Sequence, residues 1–266
     1  MFATESERLF AEYLGSQGYQ WSYEPTNSGK SRKPDFLVQH GECKHWFDVK
    51  ERSQKPQPDG ACQFDPYKVW RKPIDRAREK FTEYKDDCCS LVCYNCGDLD
   101  MVPTPPIIFA SMLGDLGFTW ALDLEGDTPQ PAEKTIFLPR RGKMVNYPRR
   151  IYSNQTISSV IVLRVESLRN PDFEALISAE LQRMSTLSAS EEGMWLDHLP
   201  AIERISRVVV CENPGARIPL PRDLFRGAFD ERWAIQDGML KQIFRGSKCD
   251  CLSREKSDLC TIGVCE

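Results

Sequence analysis

The chain has 266 residues, of which 41% are apolar and 28% charged, so it can bury one large core or two small ones. Its net charge of −4 excludes a protein that is basic over its whole surface, so any contact with nucleic acid must use a local patch. No apolar run approaches the roughly 18 residues of a membrane span, and the N-terminal segment is acidic where a signal peptide is basic. We therefore expect a cytoplasmic protein with no membrane partner.

The first 95 residues carry clear signals of secondary structure. Apolar residues recur at helical spacing between positions 9 and 14, and Thr4 followed by Glu7 matches a capping box. In chain order, the predicted elements are a helix over 5–17, strands over 19–23, 36–39 and 44–50, a charged helix over 67–84 interrupted or restarted at Pro73, and an apolar strand over 90–95. The order α-β-β-β-α-β predicts an α/β or mixed α+β protein.

The second half of the chain is less regular. Its predicted elements are a helix within 105–117, strands over 134–138 and 157–165, a helix over 171–184, a strand over 204–212 and a helical tail over 222–245. No internal repeat is visible. Because helices and strands are mixed, this half is expected to form an α/β extension that packs on or completes the N-terminal core.

Three polar residues stand at the two ends of the predicted hairpin. Asp35 precedes the strand that begins at Phe36, while Asp48 and Lys50 lie in the next strand. Since residues two apart in a strand point the same way, Asp48 and Lys50 share one face, and Phe47 and Val49 share the other. If the two strands pair, Asp35 comes alongside Asp48, and all three polar groups converge.

Such a convergence has a use in hydrolysis. Two carboxylates a few ångströms apart resist joint ionisation, and a hard divalent cation such as Mg²⁺ or Mn²⁺ relieves their repulsion. The cation can activate a water and stabilise the leaving oxygen of a phosphodiester. Lys50 could then orient or help to deprotonate that water, or neutralise charge on the phosphorus.

The same residues resemble the motif of the PD-(D/E)xK, or restriction-endonuclease-like, nuclease superfamily. Pro34-Asp35 matches the PD element, and Asp48-Val49-Lys50 matches the (D/E)xK element. The resemblance implies a central mixed sheet flanked by helices, in the α-β-β-β-α-β order, and a metal-dependent DNA endonuclease. The expected division is a nuclease-like core over 1–98, the extension over 99–246 and a cysteine-rich tail over 247–266.

The N-terminal helix is similar to that of archaeal Holliday-junction resolvases, in which a metal-site glutamate precedes a Gly-aromatic pair. This similarity implies Glu7 as a third metal ligand beside Asp35 and Asp48, with Glu5 and Glu12 as weaker candidates. The helix after the motif often carries a glutamine in this superfamily. Here Lys80 stands near that position, which is a departure from the family pattern.

Basic residues cluster near the motif and in one later segment. Such clusters can neutralise phosphates and draw DNA to a cleft, although hairpin tips and helix faces are also charged simply because they are wet. The residues expected to contact DNA are Lys30, Arg32, Lys33, Arg71, Lys72, Arg140, Arg141 and Lys143. Arg76, Arg78, Arg149 and Arg150 extend the same clusters.

Eleven cysteines without an export signal are expected to be reduced thiols or metal ligands rather than a disulfide framework. Four thiols suit tetrahedral Zn²⁺, and the C-terminal set is Cys249, Cys251, Cys260 and Cys265. The first pair has C-x-C spacing rather than the usual C-x-x-C, so we expect a disordered tail with reactive cysteines and keep a zinc site as the alternative.

His45 and one proline-containing segment are expected to have structural roles. His45 shares the face of Phe47 and Val49, so it is expected to pack against the core or lie at the surface. The prolines of ENPGARIPLPRDLFRGAFDERW are expected to set a rigid path between a strand and the last helices.

The leading hypothesis is therefore a Mg²⁺- or Mn²⁺-dependent DNA endonuclease, with DNA as partner and a homodimer as a possible assembly. One alternative is a non-catalytic nucleic-acid-binding protein that keeps the nuclease fold. Another is a zinc-stabilised interaction module in which the cysteines matter most.

Overall fold

A computed structural model describes the protein over residues 2–25, 32–52, 67–95, 103–119, 134–138, 142–146, 151–168, 182 and 204–249. The chain divides into two compact units, the first made of Met1–Arg164 with Ser206–Gly246 and the second of Val165–Ile205 with Ser247–Glu266. The candidate site and the helices around it belong to the first unit.

The described residues form helices and strands in a mixed order. The helices are α1 (Glu5–Ser16), α2 (Lys68–Phe81) and α3 (Pro105–Leu113), and the 3₁₀ turn Thr82–Tyr84 follows α2. The strands are β1 (Gln20–Tyr23), β2 (Phe36–His40), β3 (Cys43–Arg52), β4 (Cys88–Asn95), β5 (Asp115–Thr119), β6 (Lys134–Leu138), β7 (Val145–Asn146), β8 (Ile151–Tyr152), β9 (Ile157–Ser167), β10 (Arg204–Glu212), β11 (Glu231–Gln236) and β12 (Met239–Arg245).

One eight-stranded sheet organises these elements, in the order β1-β2-β3-β4-β9-β10-β11-β12. The pairs β1-β2, β2-β3 and β11-β12 are antiparallel, whereas β3-β4, β4-β9 and β10-β11 are parallel. The mixed α+β class is therefore confirmed, and strands from both halves of the sequence share the sheet. The predicted helix over 171–184 lies, apart from residue 182, outside the described residues.

The first helix begins where the capping box predicts. The Thr4 hydroxyl accepts a hydrogen bond from the Glu7 backbone N–H, and the Glu7 carboxylate accepts one from the Thr4 N–H. Each bond satisfies a donor that the first turn of a helix leaves unpaired. The apolar stripe then buries Phe10 and Leu14 completely against the sheet.

The second helix runs through Pro73 without a break, so the predicted interruption there is wrong. Proline removes one intrahelical hydrogen bond, yet the apolar face of the helix offsets that loss by burial. Ile74, Ala77 and Phe81 are fully buried, as their helical spacing predicts. This packing fixes α2 against β3 and β4 and so determines where its last turn lies.

The two faces of the sheet carry different cores. On one face, α2 and α3 pack over a cluster that includes Trp46, Leu91 and Phe109. On the other face, α1 packs with aromatic rings, and Phe10 lies 5.6 Å from Phe47 between ring centroids. Because Asp48 follows Phe47 in β3, it points to the α2 face.

The predicted helix over 222–245 is wrong, because this segment contains a loop and the hairpin of β11 and β12. Gln236 pairs with Met239, which leaves Asp237 and Gly238 as a two-residue turn. Both turn residues have positive φ, at 54° and 75°. An Asp-Gly pair favours such a turn, and burial alternates in β11 as expected for a strand rather than a helix.

The segment between β10 and β11 follows a fixed path, which two buried polar side chains stabilise. Asp230 accepts hydrogen bonds from the Tyr13 hydroxyl at 2.6 Å and from the backbone N–H groups of Val208 and Gly227. Arg232 donates to the carbonyl oxygens of Leu220, Pro221 and Leu224. The segment therefore connects two strands, not a strand and the last helices.

Replacement of Asp230 by alanine is expected to lower the free energy of unfolding by about 3 kcal/mol, because it leaves three buried donors without an acceptor. Denaturant unfolding followed by circular dichroism measures the loss. The matched control is Asp86→Ala, since Asp86 is exposed. A loss no larger than that of the control would contradict the role assigned to Asp230.

Candidate functional site

The register of β2 and β3 sets Asp35 beside Asp48. Phe36 pairs with Phe47 in this antiparallel ladder, so the residue before Phe36 lies opposite the residue after Phe47. The Val49 backbone N–H donates to Asp35 Oδ2 at 2.6 Å, which holds that carboxylate against β3. The hairpin therefore brings the two acids to the same face, as the sequence predicts.

Two lysines meet this pair of carboxylates. Lys50 Nζ lies 2.7 Å from Asp48 Oδ2 and 3.7 Å from Asp35 Oδ2. Lys80, in the last turn of α2, places its Nζ 2.9 Å from Asp35 Oδ1 and in close contact with Asp48 Oδ1. Two negative and two positive charges thus form one neutral cluster, which we call the aspartate-lysine cluster (Asp35, Asp48, Lys50 and Lys80).

The cluster is only partly open to solvent. The side chain of Asp48 is fully buried, whereas those of Asp35, Lys80 and Lys50 are 17%, 23% and 28% exposed. Lys50 also donates to the carbonyl oxygen of Val49 at 3.0 Å. A solute that enters from solvent therefore meets the two ammonium groups and Asp35 before it reaches Asp48.

Burial and the oppositely charged partners shift the pKa values of Asp48 and Lys80 in opposite directions. Burial raises the pKa of Asp48, and the neighbouring carboxylate of Asp35 raises it further, although Lys50 and Lys80 lower it. Burial lowers the pKa of Lys80, but attraction to Asp48 and Asp35 outweighs it, so the pKa of this ammonium is raised. The two lysines therefore oppose the rise that burial and Asp35 cause in the pKa of Asp48.

The cluster offers the ligands that a hard cation prefers. Its oxygens belong to two carboxylates and to the Val49 carbonyl, which the Lys50 ammonium already contacts. Asp48 Oδ2 is buried and forms an ion pair with Lys50 without accepting a hydrogen bond. Mg²⁺ often takes only one or two protein carboxylates and keeps several waters, so this oxygen set fits it.

Glu7 occupies a different position from the one implied for a metal ligand. Its Oε2 accepts hydrogen bonds from the Ala3 and Thr4 N–H groups and from the Tyr23 hydroxyl. Within the described residues, no three His, Cys, Asp or Glu side chains are grouped to hold a metal ion, so Glu7 does not join Asp35 and Asp48. The physical reason is that the capping box uses this carboxylate at the N-terminus of α1.

The residues expected to contact DNA differ in their exposure. Arg32 and Lys33, just before Asp35, are exposed, and Arg32 has an ion-pair contact of 3.8 Å with Glu79. Lys72 is exposed on α2, but Arg71 is only 5% exposed and lies over the Tyr67 ring at 5.4 Å. Arg71 therefore packs rather than faces solvent, because it lies on the buried side of its helix.

The later basic segment and the cysteine tail are only partly described. Lys143 Nζ lies 2.5 Å from Asp75 Oδ2, so an acid on α2 already neutralises it. Cys249 is buried and forms no disulfide. Lys30, Arg140, Arg141, Cys251, Cys260 and Cys265 lie outside the described residues.

Protein-family models, curated proteins and solved structures were all compared with the chain, and none matches it. No helix among the described residues is both long enough and apolar enough to span a bilayer. The geometry of the aspartate-lysine cluster is therefore the main guide to function.

Sequence reasoning named Lys80 only as a departure from a family pattern, and its contacts were missed. Lys80 is 32 residues from Asp48 along the chain and meets it because α2 packs across β3 and β4. The available signal was the helical spacing of Ile74, Ala77 and Phe81, which leaves Lys80 at the border of the buried face.

His45 packs in the core, as its face of β3 predicts. It is 2% exposed, and neither ring nitrogen has a hydrogen-bond partner among the described residues. Burial, followed by the nearby His40, lowers the pKa of His45 from its ordinary value of 6.5, while Asp223 opposes this shift weakly. Protonation of His45 therefore favours the unfolded chain.

The His45 contribution to stability is expected to be complete above pH 6.5 and to diminish as the pH falls below it, because the unfolded chain then binds a proton that the fold resists. The slope is at most about 1.4 kcal/mol per pH unit for one proton. Chemical unfolding of wild type and His45→Phe between pH 7.5 and 5 checks this. If the free energy of unfolding changes equally with pH in the two proteins, the prediction is wrong.

Proposed function

We propose that this chain is a metal-dependent DNA endonuclease with a restriction-endonuclease-like core. The observation that carries the proposal is the side-by-side position of Asp35 and Asp48, with Lys50 in contact with both. The order α1-β1-β2-β3-α2-β4 agrees with the order that the PD-(D/E)xK resemblance implies. The missing third acid is the main departure from that pattern.

The residues that would hold Mg²⁺ or Mn²⁺ are Asp35 and Asp48, with water in the remaining positions. When bound, such a cation supplies Lewis-acid stabilisation to a phosphoryl group and a water of increased acidity. Asp48 is fixed within a buried strand, so it provides a rigid ligand. Asp35 is fixed by the Val49 N–H.

Lys50 is suited to act on the reacting phosphate. Its ammonium is the most exposed charge of the cluster and lies within 4 Å of both carboxylates. In this position Lys50 Nζ can donate a hydrogen bond to a phosphoryl oxygen or to the attacking water, as charge develops in the transition state. Its alkyl stem extends from a strand, so the geometry is preorganised.

Exposed basic residues next to the cluster suit the DNA backbone. Arg32 and Lys33 are exposed and directly precede Pro34-Asp35, and Lys72, Arg76 and Arg78 are exposed on α2. Such side chains neutralise phosphates without reading the sequence, so they position a duplex rather than select a site. The negative net charge of the chain makes this local patch necessary.

A non-catalytic nucleic-acid-binding protein is the second candidate, and Lys80 is the observation that favours it. Its ammonium already contacts both carboxylates, so the site is neutral without a metal. In that case the protein would bind DNA, and the aspartates would have only a structural role.

Lys50→Met is expected to lower the rate of DNA cleavage at least roughly a hundredfold, because it removes one preorganised donor at the reacting phosphate. Asp35→Asn is expected to abolish cleavage, since it removes a ligand. The measurement compares single-stranded, duplex and branched DNA with Mg²⁺, Mn²⁺ or EDTA.

The matched control is Lys85→Gln, because Lys85 is an exposed lysine outside the cluster. DNA binding, followed by fluorescence anisotropy, should survive in all three variants. Binding without cleavage by the wild type under every metal condition would overturn the endonuclease and leave the second candidate.

A further inference from the structure

We propose that Lys80 is a displaceable internal cation, which occupies the place of the divalent ion and must withdraw before that ion binds. The inference rests on the proposed function, since it concerns the same two aspartates. It assigns Lys80 a regulatory role that differs from that of Lys50.

The two lysines divide the four carboxylate oxygens between them. Lys80 contacts Oδ1 of both Asp35 and Asp48, while Lys50 contacts Oδ2 of both. Asp35 Oδ2 also accepts the Val49 N–H, so the Oδ2 side is fixed by the backbone as well. The Oδ1 side is held by Lys80, and its withdrawal exposes one oxygen from each acid toward the same point.

Charge balance requires one cation to leave. The cluster is neutral with two ammonium groups, and a divalent ion added to it would leave two uncompensated positive charges in a half-buried site. Withdrawal of Lys80 removes one of these charges. Lys50 can stay, because it faces solvent and contacts the Val49 carbonyl.

Lys80 can move, whereas the acids cannot. It lies in the last turn of α2, its side chain is 23% exposed, and its flexible four-carbon stem can carry the ammonium into solvent. Asp48 is fully buried in a strand with neighbours on both sides. Metal binding therefore moves the lysine and not the carboxylates.

Two consequences follow. Without metal, Lys80 neutralises the acids, so the fold does not depend on a bound ion. The apparent affinity for the ion is the intrinsic affinity multiplied by the fraction of metal-free molecules in which Lys80 has withdrawn. Lys80 thus sets a threshold concentration for the divalent ion.

Mn²⁺ titration, followed by electron paramagnetic resonance of the free ion, tests the inference. Lys80→Gln is expected to bind Mn²⁺ roughly tenfold more tightly than wild type, because a competing positive charge is gone. Lys85→Gln, the matched control, is expected to bind like wild type. Asp35→Asn added to Lys80→Gln should abolish the gain, which locates the ion at the cluster.

A second measurement uses the wild-type protein, so it does not depend on the folding of a variant. Acylation of lysines by an N-hydroxysuccinimide ester, quantified by mass spectrometry, reports whether Lys80 is accessible. Saturating Mn²⁺ is expected to increase the acylation rate of Lys80 and to leave that of Lys85 unchanged. An unchanged or decreased rate at Lys80 would overturn the displacement.

The outcomes separate the two proposals. If both proteins bind Mn²⁺ saturably and Lys80→Gln binds it no more tightly than wild type, the role of Lys80 is overturned. The metal-dependent function is then left intact. No Mn²⁺ binding by wild type or by Lys80→Gln overturns the metal-dependent function, and the displacement with it.

Discussion

Two adjacent carboxylates, one of them fully buried, are costly to a fold unless positive charges compensate them. Asp48 has no access to solvent, and Asp35 lies beside it, so lost hydration and repulsion both oppose the charge on Asp48. The ammonium groups of Lys50 and Lys80 compensate both acids at once. These ion pairs link the residue before β2, strand β3 and the last turn of α2. The same four side chains therefore contribute to the stability of the fold and form the candidate site.

The sheet separates the chemical face from the supporting face. Asp48 and Lys50 point toward α2, while Phe47 points into the aromatic core beneath α1. The loop before β11 closes that aromatic side, because the Phe225 ring packs 5.6 Å from Phe47 and Asp230 binds the Tyr13 hydroxyl. The supporting face is therefore closely packed, and packing of this kind holds a site in a fixed geometry.

The acids and Lys80 are held in different ways. The acids are held by strand hydrogen bonds and by the Val49 N–H, whereas Lys80 ends a flexible stem near solvent. In our proposal, a divalent ion competes with the contact between Lys80 and the two aspartates.

The sequence by itself determined the features that depend on near neighbours. The capping box places the start of α1, strand alternation sorts Asp48 from Phe47, and the short turn after His40 fixes the register that aligns Asp35 with Asp48. Tertiary packing decided the rest, because those outcomes compare partners far apart in the chain. It brought Lys80 across 32 residues to Asp48 and buried Arg71 against the core. It also allowed β11 and β12 to pair at the sheet edge, and it engaged Glu7 at the cap of α1 rather than at the acids. Local patterns set which face a side chain occupies, but only the folded chain sets which charge it meets there.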